Sequence, residues 1–153
     1  MNVIIDPNKF DDKCIFFYNP VKNTVMDDSN FIRILYSNKL FTLNAIFIKL
    51  KLNIINIEKY FNKSKCCFNI KDNKDIIDKI AFIEDKILHK YSYNKNIKNK
   101  IYDQLMSGNI KLFIDNLSEN SNKCEYLLKI SGIWETDNDC GITYKFVDMI
   151  NHL

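Results

Sequence analysis

The sequence predicts an α+β domain, in which a mostly antiparallel β-sheet or a small β-barrel carries one long amphipathic helix and a short second helix. Several short stretches alternate apolar and polar residues with the period of a strand, whereas one central segment repeats isoleucine every three or four positions, as a helix does. Strands, helices and strands follow one another without a Pro- or Gly-rich linker. We therefore expect residues 1–153 to form a single domain.

The first seventy residues are predicted to be rich in strands. A short apolar strand at Cys14–Tyr18 precedes a hairpin formed by Phe31–Tyr36 and Leu40–Leu43. Between these two strands, Ser37, Asn38 and Lys39 have the composition of a hairpin turn. A further strand is expected at Lys65–Ile70.

The clearest strand pattern covers residues 45–55, where aliphatic residues strictly alternate with other types. The residues expected to face the core are Ile46, Ile48, Leu50, Leu52 and Ile54. The residues expected to face away from it are Ala45, Phe47, Lys49, Lys51 and Asn53. This pattern indicates a half-buried strand with an aliphatic inner face and a basic outer face.

The central segment is predicted to be helical over residues 73–91. Its isoleucine stripe is expected to face the sheet and consists of Ile76, Ile80, Ile83 and Ile87. A second, shorter helix is expected at residues 97–106, with Gly108 providing its end.

The last part of the chain returns to strands. Ile110, Leu112 and Ile114 alternate, and a polar loop is expected at residues 116–123. We then expect Glu125–Glu135 and Ile142–Val147 to pair antiparallel across a loop at 136–141. Gly141 is predicted to end that loop in a left-handed conformation. One face of the first strand is expected to hold Tyr126, Leu128, Ile130, Gly132 and Trp134.

Composition and motifs argue against catalysis. Three Gly leave little room for a glycine-built phosphate loop, and two His exclude a histidine-rich metal site. His89 and His152 are predicted to be surface residues, and Asp137 and Asp139 are typical turn residues. We therefore predict a protein that is not an enzyme and has no cofactor or bound metal.

The cysteines and the overall residue usage bear on where the chain works. The five Cys include no C-x-x-C pair, which favours reduced thiols in an intracellular, reducing compartment such as a cytoplasm or nucleus. No stretch is apolar enough to predict a membrane span. The excess of Ile, Asn and Lys over Arg indicates an AT-rich genome, as in large DNA viruses, parasites or some bacteria.

Positive charge is concentrated in two blocks. Residues 39–71 carry seven Lys and one Glu, and residues 86–100 carry five Lys and no acidic residue. Within the first block, lysines are interleaved with aromatic residues, which is the combination that a single-strand binder needs to neutralise phosphates and stack bases. The candidate nucleic-acid-binding residues are Arg33, Phe41, Phe47, Lys49, Lys51, Lys59, Tyr60, Lys63 and Lys65. The alternative is that another layer covers Phe47 and that the lysines are ordinary solvated side chains.

The order of elements also resembles that of a known family. The hairpin Phe31–Leu43, the helical segment Ile83–Leu88 and the strand segment Leu127–Trp134 resemble the single-stranded DNA-binding proteins of large nucleocytoplasmic DNA viruses. This resemblance implies an OB-like β-barrel and a role in viral replication or repair.

Two other functions remain open from the sequence. The chain is also compatible with a small viral or parasite module that binds a host protein, or with a subunit of a larger assembly, including a homo-oligomer. Steep weakening of binding by salt would distinguish a nucleic-acid binder from both alternatives.

Overall fold

Strands dominate the computed structural model, which describes residues 3–92, 94–113 and 125–149. The strands are β1 Ile4–Ile5, β2 Ile15–Phe17, β3 Val21–Lys22, β4 Asn30–Ser37, β5 Thr42–Leu43, β6 Ile46–Lys51, β7 Ile54–Tyr60, β8 Lys63–Phe68, β9 Asn96–Lys98, β10 Asn109–Phe113, β11 Glu125–Glu135 and β12 Asp139–Asp148. The helices are α1 Lys74–Tyr91 and α2 Lys100–Met106. The α+β class and the two helices are therefore confirmed.

The sheet is mixed and open. Its main path runs β1-β6-β11-β12-β10-β8-β7, with β4 attached to β11. The pairs β1–β6, β10–β12 and β9–β12 are parallel, and the other described pairs are antiparallel. Because β1 and β7 end the path without pairing to each other, closure into a barrel is not confirmed.

Strand β11 organises the sheet through a β-bulge. Its first half pairs with β6 and its second half with β4, and the register shifts between Ile130 and Gly132. One extra residue turns the following side chains to the opposite face. The prediction that Gly132 and Trp134 share a face with Tyr126 is therefore wrong, because both lie beyond the bulge.

The helices cover one face of the sheet. Ile80, Ile83 and Ile87 of α1 are buried in the same core cluster as Leu128 and Phe146 of the sheet, among other residues. Ile77 is also buried, whereas Ile76 is only partly buried, so the predicted stripe is rotated slightly at its start. The predicted packing of this helix is confirmed.

Helix α2 begins later than the sequence predicts. Residues 96–98 form β9 beside β12 instead of a first helical turn, and the backbone N–H of Asn96 donates to the carbonyl of Asn138 at 2.8 Å. Gly108 has a φ of 79°, which suits its predicted role at the helix end.

The predicted strand 45–55 is two strands. The chain leaves β6 after Lys51 and starts β7 at Ile54, while Leu52 stays fully buried between them. The side chain of Asn73, at the start of α1, accepts from the backbone N–H of Asn53 at 2.8 Å. This bond replaces a strand partner and allows the chain to change direction.

The final hairpin is confirmed, but its loop is shorter than predicted. Strand β12 starts at Asp139, so Gly141 lies within a strand, and its φ is not positive. The prediction of a left-handed Gly141 is therefore wrong. Ile114 and the predicted loop at 116–123 lie outside the described residues.

Strand β7 forms one end of the sheet. All its residues after Ile54 are exposed, and the register to β8 shifts between Ile54 and Asn56. The turn that follows begins with Phe61, whose side chain is fully exposed and whose φ is 46°.

Candidate nucleic-acid interface

The functional candidates are best described by the face of the sheet on which they lie. We call the face opposite α1 and α2 the outer face. Directly paired residues of neighbouring strands share a face, so the register assigns each side chain. On the inner face, Ile48, Leu128, Phe146 and Leu112 follow one another across four strands.

The outer face is basic over the strands at the centre of the sheet. Phe47, Lys129 and Lys145 form one cross-strand row over β6, β11 and β12. Lys49 lies in the next row and Lys51 in the one after it. Three predicted site residues and two further lysines therefore share this face.

The outer face of β7, β8 and β10 combines lysines with aromatic rings. Tyr60, Lys63 and Phe113 form one row. Glu58, Lys65 and Lys111 form the adjacent row. The Nζ atom of Lys63 lies 5.0 Å from the centroid of the Phe113 ring, and 63% of the Phe113 side chain is exposed.

Two carboxylates partly neutralise this surface. Lys49 Nζ lies 3.0 Å from Glu125 Oε1, and Lys65 Nζ lies 3.8 Å from Glu58 Oε2. The exposed lysines of this face that form no ion pair with any described residue are Lys51, Lys63, Lys111 and Lys145. The described part of the outer face therefore has a net positive charge.

Phe47 is the main correction to the predicted site. Its register is outward, as the alternation predicts, but only 9% of it is exposed, and the Nζ atom of Lys129 lies 5.6 Å from its ring centroid. A ring covered in this way has no free face for a nucleobase. The expectation that Phe47 is an exposed stacking surface is wrong.

Two other candidates lie away from the outer face. The ring of Phe41 stacks on Tyr36 with centroids 6.4 Å apart and packs against the core. Lys59 pairs with the fully buried Ser64 and therefore belongs to the inner side of β7, although it is exposed there. Arg33 is exposed on the outer face opposite Gly132.

The residues that the sequence interpretation missed are Lys111, Phe113, Lys129 and Lys145. Each alternates with a core residue in its own strand, as Lys111 does between Ile110 and Leu112. The local signal was present, but only the pairing of distant strands places these side chains beside Tyr60 and Lys63.

The buried ionisable groups join elements to one another. Glu84 of α1 accepts from the backbone N–H groups of Ile101 and Tyr102, each at 2.9 Å, and so caps the start of α2. Burial raises the pKa of Glu84 to about 7, although these two hydrogen bonds lower it and neighbouring carboxylates add to the increase.

Glu135, which is buried, connects the final hairpin to α1. The Tyr91 hydroxyl donates to Glu135 Oε2 at 2.7 Å, and Lys95 Nζ lies 3.4 Å from the same oxygen. Burial and this hydrogen bond raise the pKa of Tyr91. His89 is exposed on α1 with its Nδ1 atom 3.1 Å from Asp85, and His152 lies outside the described residues.

Comparison of the chain with protein-family models, with curated proteins and with solved structures gave no match. Within the described ranges, His, Cys, Asp and Glu side chains form no group of three that is placed to hold a metal ion. Neither of the two described helices has the length and apolarity that crossing a membrane requires.

Proposed function

We propose that the protein binds single-stranded nucleic acid without strong sequence preference, and that this nucleic acid is DNA. The observation that carries the proposal is the pair of adjacent rows on β7, β8 and β10, where Lys63, Lys65 and Lys111 surround the exposed rings of Tyr60 and Phe113. Exposed lysines neutralise phosphates, and flat rings accept bases of any identity. The binding surface is therefore centred on β8 and β10 rather than on β6.

The lysines of the outer face, of which Lys49 and Lys65 are paired with carboxylates, define the path of the nucleic acid. Lys145 and Lys129 continue the basic surface from Lys111 toward the middle of the sheet, and Lys49 and Lys51 lie beyond them. A phosphate chain laid across the strands would meet one lysine after another. The binding energy would come largely from counterion release, so it would fall steeply with salt.

The cellular role belongs to the same proposal. A sequence-tolerant, non-enzymatic binder of single strands fits replication or repair in an intracellular, reducing compartment. The order of elements in the sequence resembles that of viral single-stranded DNA-binding proteins, and this resemblance motivates the proposed role.

Charge reversal on the outer face tests the phosphate contacts. The affinity of the full chain for a fluorescein-labelled oligo-dT is measured by anisotropy at several salt concentrations. The double variant Lys63→Glu/Lys111→Glu is expected to bind ten-fold or more weakly and to flatten the log–log salt slope by about two. The matched control, Lys79→Glu/Lys86→Glu, makes the same charge change on the exposed side of α1 and should bind within about two-fold of the parent.

Equal loss in both double variants would mean that only overall charge matters, and no loss in either would refute the proposed surface. A protein that fails to bind oligo-dT even at the lowest salt would refute the proposed function.

A pair of phenylalanine variants tests stacking separately from charge. Phe113 and Phe82 are both exposed, and each has a lysine ammonium about 5 Å from its ring centroid. Phe113→Ala should lose about 1–3 kcal/mol of binding free energy with an unchanged salt slope. Phe82→Ala, on α1, should bind like the parent. Parent-like binding by both variants would remove Phe113 from the site.

A protein-interaction module is the second candidate, and one observation favours it. Strand β7 pairs with no described strand on its second edge, where Ile55 is 70% exposed, and Phe61 of the turn that follows is fully exposed. A bulky residue at positive φ and in full contact with water is unfavourable for folding on both counts, which favours contact with a partner. Binding to a protein partner would persist at a salt concentration that abolishes phosphate contacts.

A further inference from the structure

An apolar groove lies on the outer face at the end of the sheet where β4, β11 and β12 meet. Its volume is about 510 Å³, within the range of about 300–1,000 Å³ typical of small-molecule sites. Its lining is formed by Val21, Lys22, Asn23, Thr24, Val25, Met26, Phe31, Trp134 and Thr143. The aromatic floor and the aliphatic wall come from different parts of the chain.

Two glycines allow the floor of the groove to be flat. A Cβ atom at Gly141 would lie 2.6 Å from the Trp134 ring, and one at Gly132 would lie 2.8 Å from the Phe31 ring. Both rings therefore lie directly against the backbone of the neighbouring strand. Of the three glycines in the chain, two are used in this way. Any larger residue at position 132 or 141 would displace these rings.

The wall of the groove is unusually apolar for a surface. Val21 is exposed on β3, and Val25, which is 94% exposed, and Met26 are exposed on the segment that follows β3. Contiguous exposed apolar residues around flat rings indicate a binding site for an apolar, planar group.

Charged side chains around the groove make some directions of approach more favourable than others for a charged ligand. Arg33 follows Phe31 by two residues on the same outer face, and Lys145 follows Thr143 in the same way. Lys22 of β3 lines the groove itself, and Asp27 and Asp28 are exposed in the loop that follows β3. The three cationic side chains attract a polyanion to the groove, whereas the two aspartates oppose its approach over the loop.

We propose that this groove receives one base of the bound single strand, stacked on Trp134, while the phosphates on either side of that base stay over Arg33 and Lys145. The proposal rests on the proposed function and adds a base-binding pocket at the end of the lysine surface. A flat base on a charged chain matches an apolar groove that is continuous with a basic face.

Trp134 is the only tryptophan of the chain, so its fluorescence reports on this groove alone. Unlabelled oligo-dT is titrated into the full chain at low salt, and an abasic strand with the same number of phosphates is titrated in parallel. Oligo-dT is expected to quench Trp134 to saturation over the concentration range in which anisotropy shows binding. The abasic strand is expected to bind through the lysines with little quenching. Equal quenching by both strands would overturn the base pocket.

Variants test the energetic contribution of the ring. Trp134→Leu should bind labelled oligo-dT about ten-fold more weakly with the same salt slope. The control Phe82→Leu removes an exposed ring from α1 and should bind like the parent. If Trp134→Leu does not fold, as judged by far-ultraviolet circular dichroism, the quenching titration of the unmodified chain still decides the matter.

The two proposals fail in different ways. Binding by anisotropy without quenching of Trp134, or parent-like binding by a folded Trp134→Leu, overturns the base pocket and leaves the proposed function standing. Absence of binding at low salt overturns both.

Discussion

Replacing Glu84 with Gln should change how the stability of the protein depends on pH. Glu84 is 1% exposed, and its carboxylate accepts the backbone N–H groups of Ile101 and Tyr102. Its pKa is about 7 in the folded chain, compared with 4.5 for a free carboxyl group. The folded state therefore holds a proton on Glu84 over a pH range in which the unfolded state has released it.

The sign of the effect follows from this difference. A group whose pKa is raised by folding stabilises most below the unfolded pKa, and this stabilisation is lost as pH rises through the folded pKa. At about 1.4 kcal/mol per pH unit, the unmodified protein should lose roughly 2–3 kcal/mol of its unfolding free energy between pH 5 and pH 8 through Glu84. Glu84→Gln cannot titrate, so this part of the pH dependence should be absent.

Urea unfolding of both proteins at pH 5 and pH 8 measures the effect, because the contributions of all other groups cancel in the difference. Asp78→Asn removes an exposed carboxylate from the same helix and should shift stability by less than about 1 kcal/mol at either pH. If the difference between the parent and Glu84→Gln is the same at both pH values, Glu84 is ionised throughout. The two N–H donors would then outweigh its burial.

Two further substitutions test the packing. Ile83→Asp should abolish the folded state, because burying an unpaired carboxylate costs several kcal/mol, which is of the order of the whole stability. The control Phe82→Asp changes an exposed neighbour and should keep a cooperative thermal transition, as measured by circular dichroism. Tyr91→Phe removes the hydrogen bond to Glu135 and should lower the free energy of unfolding in urea by about 2 kcal/mol, and an unchanged value would show that water replaces the hydroxyl.

The periodic spacing of apolar residues correctly predicted the helix and the strands in which it occurs. The isoleucine spacing located α1 to within one residue, and the alternation around residues 125–135 and 142–147 located the final hairpin. Both signals arise because one side of the element faces the core, and burial imposes its period on the sequence. The bulge between Ile130 and Gly132 leaves no periodic pattern in the sequence, so the alternation predicts the wrong face for Trp134.

The candidate site depended on information that is not local. The alternation correctly predicted that Phe47 faces outward, but it carried no information on the burial of this ring, which Lys129 of the paired strand contacts. Lys111 and Phe113 join the site only because β10 pairs with β8 on one edge and with β12 on the other. Pairing between distant strands is decided by the whole fold, and a single strand does not encode it.

Strand β7 pairs with β8 on one side and with no other described strand, so its second edge is open to contact with another copy of the protein at high concentration. An exposed strand edge offers unpaired backbone groups to a second copy and is a common start of aggregation. Here Lys59 places its charge on the side that would continue the aliphatic face, and the bulge after Ile54 bends the edge. Both features oppose the regular pairing of this edge with the edge of a second copy. Lys59 therefore opposes edge-to-edge aggregation at β7, where Ile55 and Ile57 are exposed.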